Sequence, residues 1–222
     1  MTKLLAASPA LLLVAPLFSQ SPRVIEWKPG EWGASPPAGW RVAGDPKVVD
    51  SPFGKAMRFD GAGDGLFFNG NPLEGLSQFT LEAVFYPDSD GPPEQRFVHF
   101  GYANGDRVLL ETRILGDKQW CLDTFIAGGK AGRPLIDRQR LHPADGWHHV
   151  AYVVRDGRLS NYIDGALELT AQADYTPVRG GEASLGVRLN RQSWFKGAIY
   201  SVRISTAALG PEMFTNVSPP TR

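Results

Sequence analysis

The chain has 222 residues, with 25 Gly, 18 Pro, a single Cys, and 23 basic side chains balanced by 23 acidic ones. A chain without net charge lacks the basic stripe that neutralises phosphates, which argues against a nucleic-acid partner. One cysteine makes neither an intramolecular disulfide nor a cysteine-rich zinc site.

Residues 1–19 read as an export signal: Lys3 gives the positive start, Leu11-Leu12-Leu13-Val14 the apolar centre, and cleavage is expected after Ser19. The apolar run is too short to span a bilayer and no later run is long enough, so the mature chain is expected to carry no transmembrane anchor. These features predict an exported protein, periplasmic or extracellular, and leave its oligomeric state open. Residues 20–52 are rich in Pro and Gly yet hold Trp27, Trp32 and Trp40, so the segment is expected to pack on the main domain as short strands and turns.

Beyond Pro52 short alternating runs are separated by turn signals. Strands are expected over residues 55–59, 66–69, 79–86, 96–100, 107–114, 119–126, 148–154, 159–163, 166–170, 183–187 and 198–204. Asp-Gly occurs at Asp60, Asp64, Asp90, Asp145, Asp156 and Asp164, a pair suited to tight turns because Gly takes φ > 0 freely. Only residues 207–214 offer a helical turn. The pattern predicts an all-β fold, two antiparallel sheets packed face to face, over residues 53–216, with a tail at 217–222.

Six landmarks carry a family resemblance: Ala56-Met57-Arg58-Phe59-Asp60-Gly61, Phe79-Thr80-Leu81-Glu82-Ala83, Trp147-His148-His149-Val150-Ala151, Asn161-Tyr162-Ile163-Asp164-Gly165, the strand from Phe195 through Ile204, and Ala208-Leu209-Gly210-Pro211-Glu212. In this order they resemble the bacterial branch of the laminin-G-like, or concanavalin A-like, jelly-roll superfamily. That resemblance implies a sandwich with one concave sheet whose outer face receives glycans in the enzyme members. It does not imply one activity, since the superfamily hosts lectins, adhesion modules, glycosidases, lyases and spacers. The E-x-D-x-x-E carboxylate ladder of β-glucanase-like hydrolases is missing.

Period-2 alternation sets Glu82, His99, Glu111, Arg113 and Asp123 opposite the apolar faces of their strands. Gathered on one face, they would suit a glycan groove, and Glu111 and Asp123 would suit acid–base work with His99 or Arg113 assisting. Charged cross-strand pairing on an exposed sheet face explains the same residues without a ligand. Trp194, in a polar loop, is the candidate platform for a sugar ring. His148 and His149 are adjacent, so in a strand they point to opposite faces. The Asp60–Asp64 loop offers two carboxylates to a calcium ion, and tight turns explain it equally. Cys121, between Trp120 and Leu122, is expected to be buried and unreactive. Three readings follow: a secreted binding module for carbohydrate or an extracellular protein, a small glycan-active enzyme, or a structural domain.

Overall fold

The computed structural model describes residues 21–33, 35–129 and 132–215; the expected signal at 1–19 and the tail at 217–222 lie outside them. The described strands begin with β1 (Val24–Trp27), β2 (Trp40–Ala43), β3 (Lys47–Ser51), β4 (Gly54–Asp60), β5 (Gly65–Phe68), β6 (Phe79–Pro87), β7 (Glu94–Gly101) and β8 (Arg107–Leu115). They continue with β9 (Gln119–Ala127), β10 (Arg133–Ile136), β11 (His142–Pro143), β12 (His148–Arg155), β13 (Arg158–Ile163), β14 (Ala166–Gln172), β15 (Glu182–Leu185) and β16 (Lys196–Ser205).

These form the two antiparallel sheets that the alternation predicts. The first runs β14-β13-β12-β6-β16-β4-β3, with β1 on the second half of β16; the other runs β10-β9-β8-β7-β15-β5-β2, with β11 on β9. The N-terminal segment is built into both sheets, because β1 and β3 join the first and β2 the second. Two Asp-Gly pairs make hairpin turns: Asp156 and Gly157 (φ 50° and 74°) join β12 to β13, and Asp164 and Gly165 (49° and 81°) join β13 to β14.

The core lies between the sheets. Phe85 of the first sheet stacks on Phe97 of the second at 4.4 Å, with Trp120 meeting Phe85 edge-on at 5.1 Å. Trp27 and Trp40 join this core, while Ala56, Val84, Ala198 and Tyr200 form a smaller apolar cluster with Phe53, Tyr86 and Trp147 packed against it. Three expectations need correction. β10 and β11 were not read from the sequence, as each is short and interrupted by Pro. β15 stops at Leu185, because Gly186 turns the chain with φ +77°. The C-terminal helical turn shrinks to a 3-10 turn at Pro211–Met213.

Candidate functional site

The outer face of the second sheet holds a continuous cross-strand row. Arg41 on β2, Phe67 on β5, Ser184 on β15, His99 on β7, Leu109 on β8 and Phe125 on β9 pair in turn. Two rings of this row lie beneath guanidiniums, Phe67 with Arg191 at 5.3 Å and Phe125 with Arg107 at 4.4 Å.

Two residues further along β8, Glu111 directly faces Asp123 on β9. Arg113 ties them together: its Nη2 donates to Glu111 Oε2 at 2.9 Å and also to Asp123 Oδ2. Glu94 Oε2 lies 3.0 Å from Arg113 Nη1 and accepts from Arg96 Nη1 at 3.3 Å. Arg96 Nε stands 3.1 Å from Glu111 Oε2, near enough for an ion pair though not aligned as a hydrogen bond. A depression of about 140 Å³ opens over this network, bordered by Arg96, Arg107, Arg188, Leu109 and Phe125 as well as the carboxylates. A second, of about 170 Å³, lies at the other end of the row beside Arg41, Phe67 and Arg191.

The depth of the carboxylates governs their chemistry. Glu111 is 3% exposed, and burial pushes its carboxyl up to about 7 against the pull of Arg96, with Asp123 adding to the rise. Asp123 is raised as well, chiefly by burial, with Arg113 opposing. His99 is fully buried and serves as an anchor. Its Nδ1 accepts from the Leu189 N–H at 3.2 Å, which leaves Nε2 to donate to the Tyr102 carbonyl at 3.0 Å. Burial and the nearby cations Arg188, Arg107 and Arg96 hold it neutral, with its pKa lowered to about 3.

Arg188 arrives on a loop that Gly186 makes possible. A Cβ on Gly186 would stand 2.3 Å from the Phe59 ring, and the residue's N–H and carbonyl bond Phe97 and Phe195, so the loop folds back onto the sheet. Its Ser193 carbonyl accepts the Arg96 N–H at 2.9 Å, and its Ser193 Oγ accepts from Arg96 Nη1 at 2.7 Å.

Of the residues expected on this face, the structure brings together Glu111, Arg113 and Asp123, with His99 beneath. Glu82 belongs elsewhere, and its placement with them is corrected: it sits on β6 of the other sheet. Its carboxylate accepts from His149 Nε2 at 3.0 Å, the Thr215 N–H at 2.7 Å and Arg203. Alternation assigns a face within a strand but not the sheet to which the strand belongs. Trp194 is half-buried over Gly65 and borders neither depression.

The Asp60–Asp64 loop is organised around its own donors. Asp60 Oδ1 accepts the N–H groups of Ala62, Gly63 and Asp64 at 2.8–3.0 Å, and Asp64 Oδ1 accepts that of Asp45 at 2.7 Å. These bonds engage one oxygen of each carboxylate in holding the turn. Among the described residues no three His, Cys, Asp or Glu side chains gather as a metal-binding group, and no helix is long and apolar enough to cross a membrane.

The family model of the concanavalin A-like lectin/glucanases superfamily matches residues 60–213. The chain belongs to this superfamily. No curated protein matches the chain in sequence. Among solved structures it is similar to domain 4 of AbnA, a GH43 extracellular arabinanase from Geobacillus stearothermophilus in complex with arabinotriose. The identity is 16% and the TM-score 0.60, over 87% of this chain and 97% of that one. It is also similar to the botulinum neurotoxin serotype D binding domain (13%, TM-score 0.58, 78% of this chain and 44% of that one). A SAP-like pentraxin from Limulus polyphemus matches at 15% identity and TM-score 0.55, over 78% of each chain. At such identities the likeness is one of fold.

On this concanavalin A-like sandwich, sequence reasoning missed Arg96, Arg107, Arg188 and Phe125 as site residues. Arg107 and Phe125 were legible, since they share the outward phase of Glu111 and Asp123. Arg96 was not, because β7 bulges between Arg96 and Val98.

Proposed function

We propose that the protein is an exported, non-catalytic carbohydrate-binding module that receives its ligand on the outer face of the second sheet. The single observation that carries this reading is the row from Arg41 to Phe125, which has a depression at each end where guanidiniums stand beside aromatic and aliphatic surface. Sugars present the matching chemistry, an apolar ring face edged by hydroxyls. The arabinotriose-bound domain of similar fold supports it. The mature chain is expected to bind oligosaccharide in calorimetry, and Phe125→Ala is expected to weaken binding by about tenfold with the fold intact. Binding unchanged in that variant would remove the face from the proposal. Recovery of protein beginning at Gln20 outside the cytoplasm is the check on export.

A second reading, a glycoside hydrolase or lyase, draws on one observation: Glu111, raised to about 7, faces Asp123 in the manner of an acid facing a base. It fits less well, because both carboxylates are under 5% exposed and are engaged by the same Arg113. Release of reducing ends or unsaturated products, lost in Glu111→Gln, would establish it over the binding reading.

A further inference from the structure

We infer that the ligand of this face is an acidic saccharide, carboxylated or sulfated, whose anionic group is received between Arg107 and Arg188. The inference rests on the carbohydrate-binding reading and narrows it. The cations of the face fall into two sets. Arg96 and Arg113 are matched by carboxylates, since Glu94, Glu111 and Asp123 lie within ion-pair reach of them.

Arg107 and Arg188 have no such match among the described residues. Each is held by a backbone carbonyl of the same β7–β8 loop: Arg107 Nη1 donates to Gly105 at 2.6 Å and Arg188 Nη2 to Ala103 at 2.8 Å. The Nε of each is buried with no hydrogen-bond partner, so each guanidinium keeps an unsatisfied donor. Both border the depression over Glu111, and they repel one another closely enough that Arg107 loses basicity, after burial, to Arg188. Two like charges, each fixed by its own carbonyl of one loop and with no carboxylate at ion-pair distance among the described residues, form a receptor for an anion. Phe125 and Leu109, in the same depression, supply the apolar floor for the sugar ring that carries it.

The test uses calorimetry on the mature chain with polygalacturonate, the same polymer fully methyl-esterified, heparin, and neutral arabinan. Polygalacturonate or heparin is expected to bind; binding of polygalacturonate shows that a carboxylate suffices, and binding of heparin alone shows that sulfate is needed. Esterification, or an Arg107→Gln, Arg188→Gln double variant, is expected to weaken binding by about tenfold or more. Affinity is also expected to fall as salt rises from about 50 to about 500 mM. The single variant Arg188→Gln, in a loop, gives the same direction if the double variant unfolds. Equal binding of the esterified or neutral polymer, or no loss in the variants, overturns the anionic assignment while leaving carbohydrate binding in place. No binding to any of the four polymers overturns both.

Discussion

Two glutamates on opposite outer faces show how surroundings decide the role of a buried carboxylate. Glu82 and Glu111 are 1% and 3% exposed, and each has arginine beside it. Glu82 receives the Thr215 N–H and His149 Nε2 as well as Arg203, and these partners lower its pKa although burial opposes them. Among the described residues Glu111 receives no backbone N–H; it shares Arg113 with Asp123 and is raised by burial. One face is closed over its carboxylate by the chain's own C-terminal segment; the other opens as a depression. Hydrogen-bond donors to the charged form, more than the presence of arginine, separate a structural pair from a receptive one.

The largest expected effect breaks the closed side. Glu82→Ala leaves His149 Nε2 without its acceptor and Arg203 without its carboxylate, and is expected to cost about 3 kcal/mol or more in denaturant unfolding. Glu111→Gln at pH 8 is expected to be neutral or stabilising, because it removes a carboxylate that burial disfavours. A comparable loss in both variants would erase the distinction.

Next in size is the pH dependence, where the two carboxylates act with opposite sign. Glu111 has a folded pKa of about 7, above its ordinary value of 4.5. Its contribution is therefore full below about pH 4.5 and is lost as pH rises through about 7. Glu82, held below its ordinary value, contributes stability that is present above about pH 4.5 and is lost on acidification. Glu111→Gln is expected to flatten the decline in stability between about pH 4.5 and 7, and denaturant midpoints across that range read it.

A smaller effect sharpens the boundary of the open side. Cys121 follows Asp123 in outward phase on β9, yet it is fully buried, and burial pushes its thiol up to about 11. A soluble thiol reagent is expected to label it only on unfolding. Rapid labelling of the native chain would extend the depression past Asp123.

The fold was legible because it depends on patterns within strands: alternation in 79–86 and 119–126, Asp-Gly at the hairpins, and the landmark at Trp147. The site was half legible for the same reason. Alternation found Glu111, Arg113 and Asp123, but their assembly depends on the β8–β9 register. That register is set by a turn with Asp117 and Lys118 at φ 58° and 57°, which no Asp-Gly or Asn-Gly pair announced. Arg96 escaped because the β7 bulge brings it to the face of His99 three positions away, against a period of two. Arg188 escaped because its position comes from a loop closed by Gly186, and loops carry no periodicity.

The most direct test is a chemical-shift map of the mature chain titrated with a bound oligosaccharide. Perturbations are expected at Arg96, Arg107, Leu109, Phe125 and Arg188, with the Phe53, Trp147 and Tyr200 patch of the other sheet unmoved. Perturbations centred on that patch, with β8 and β9 silent, would contradict the assignment of the ligand face.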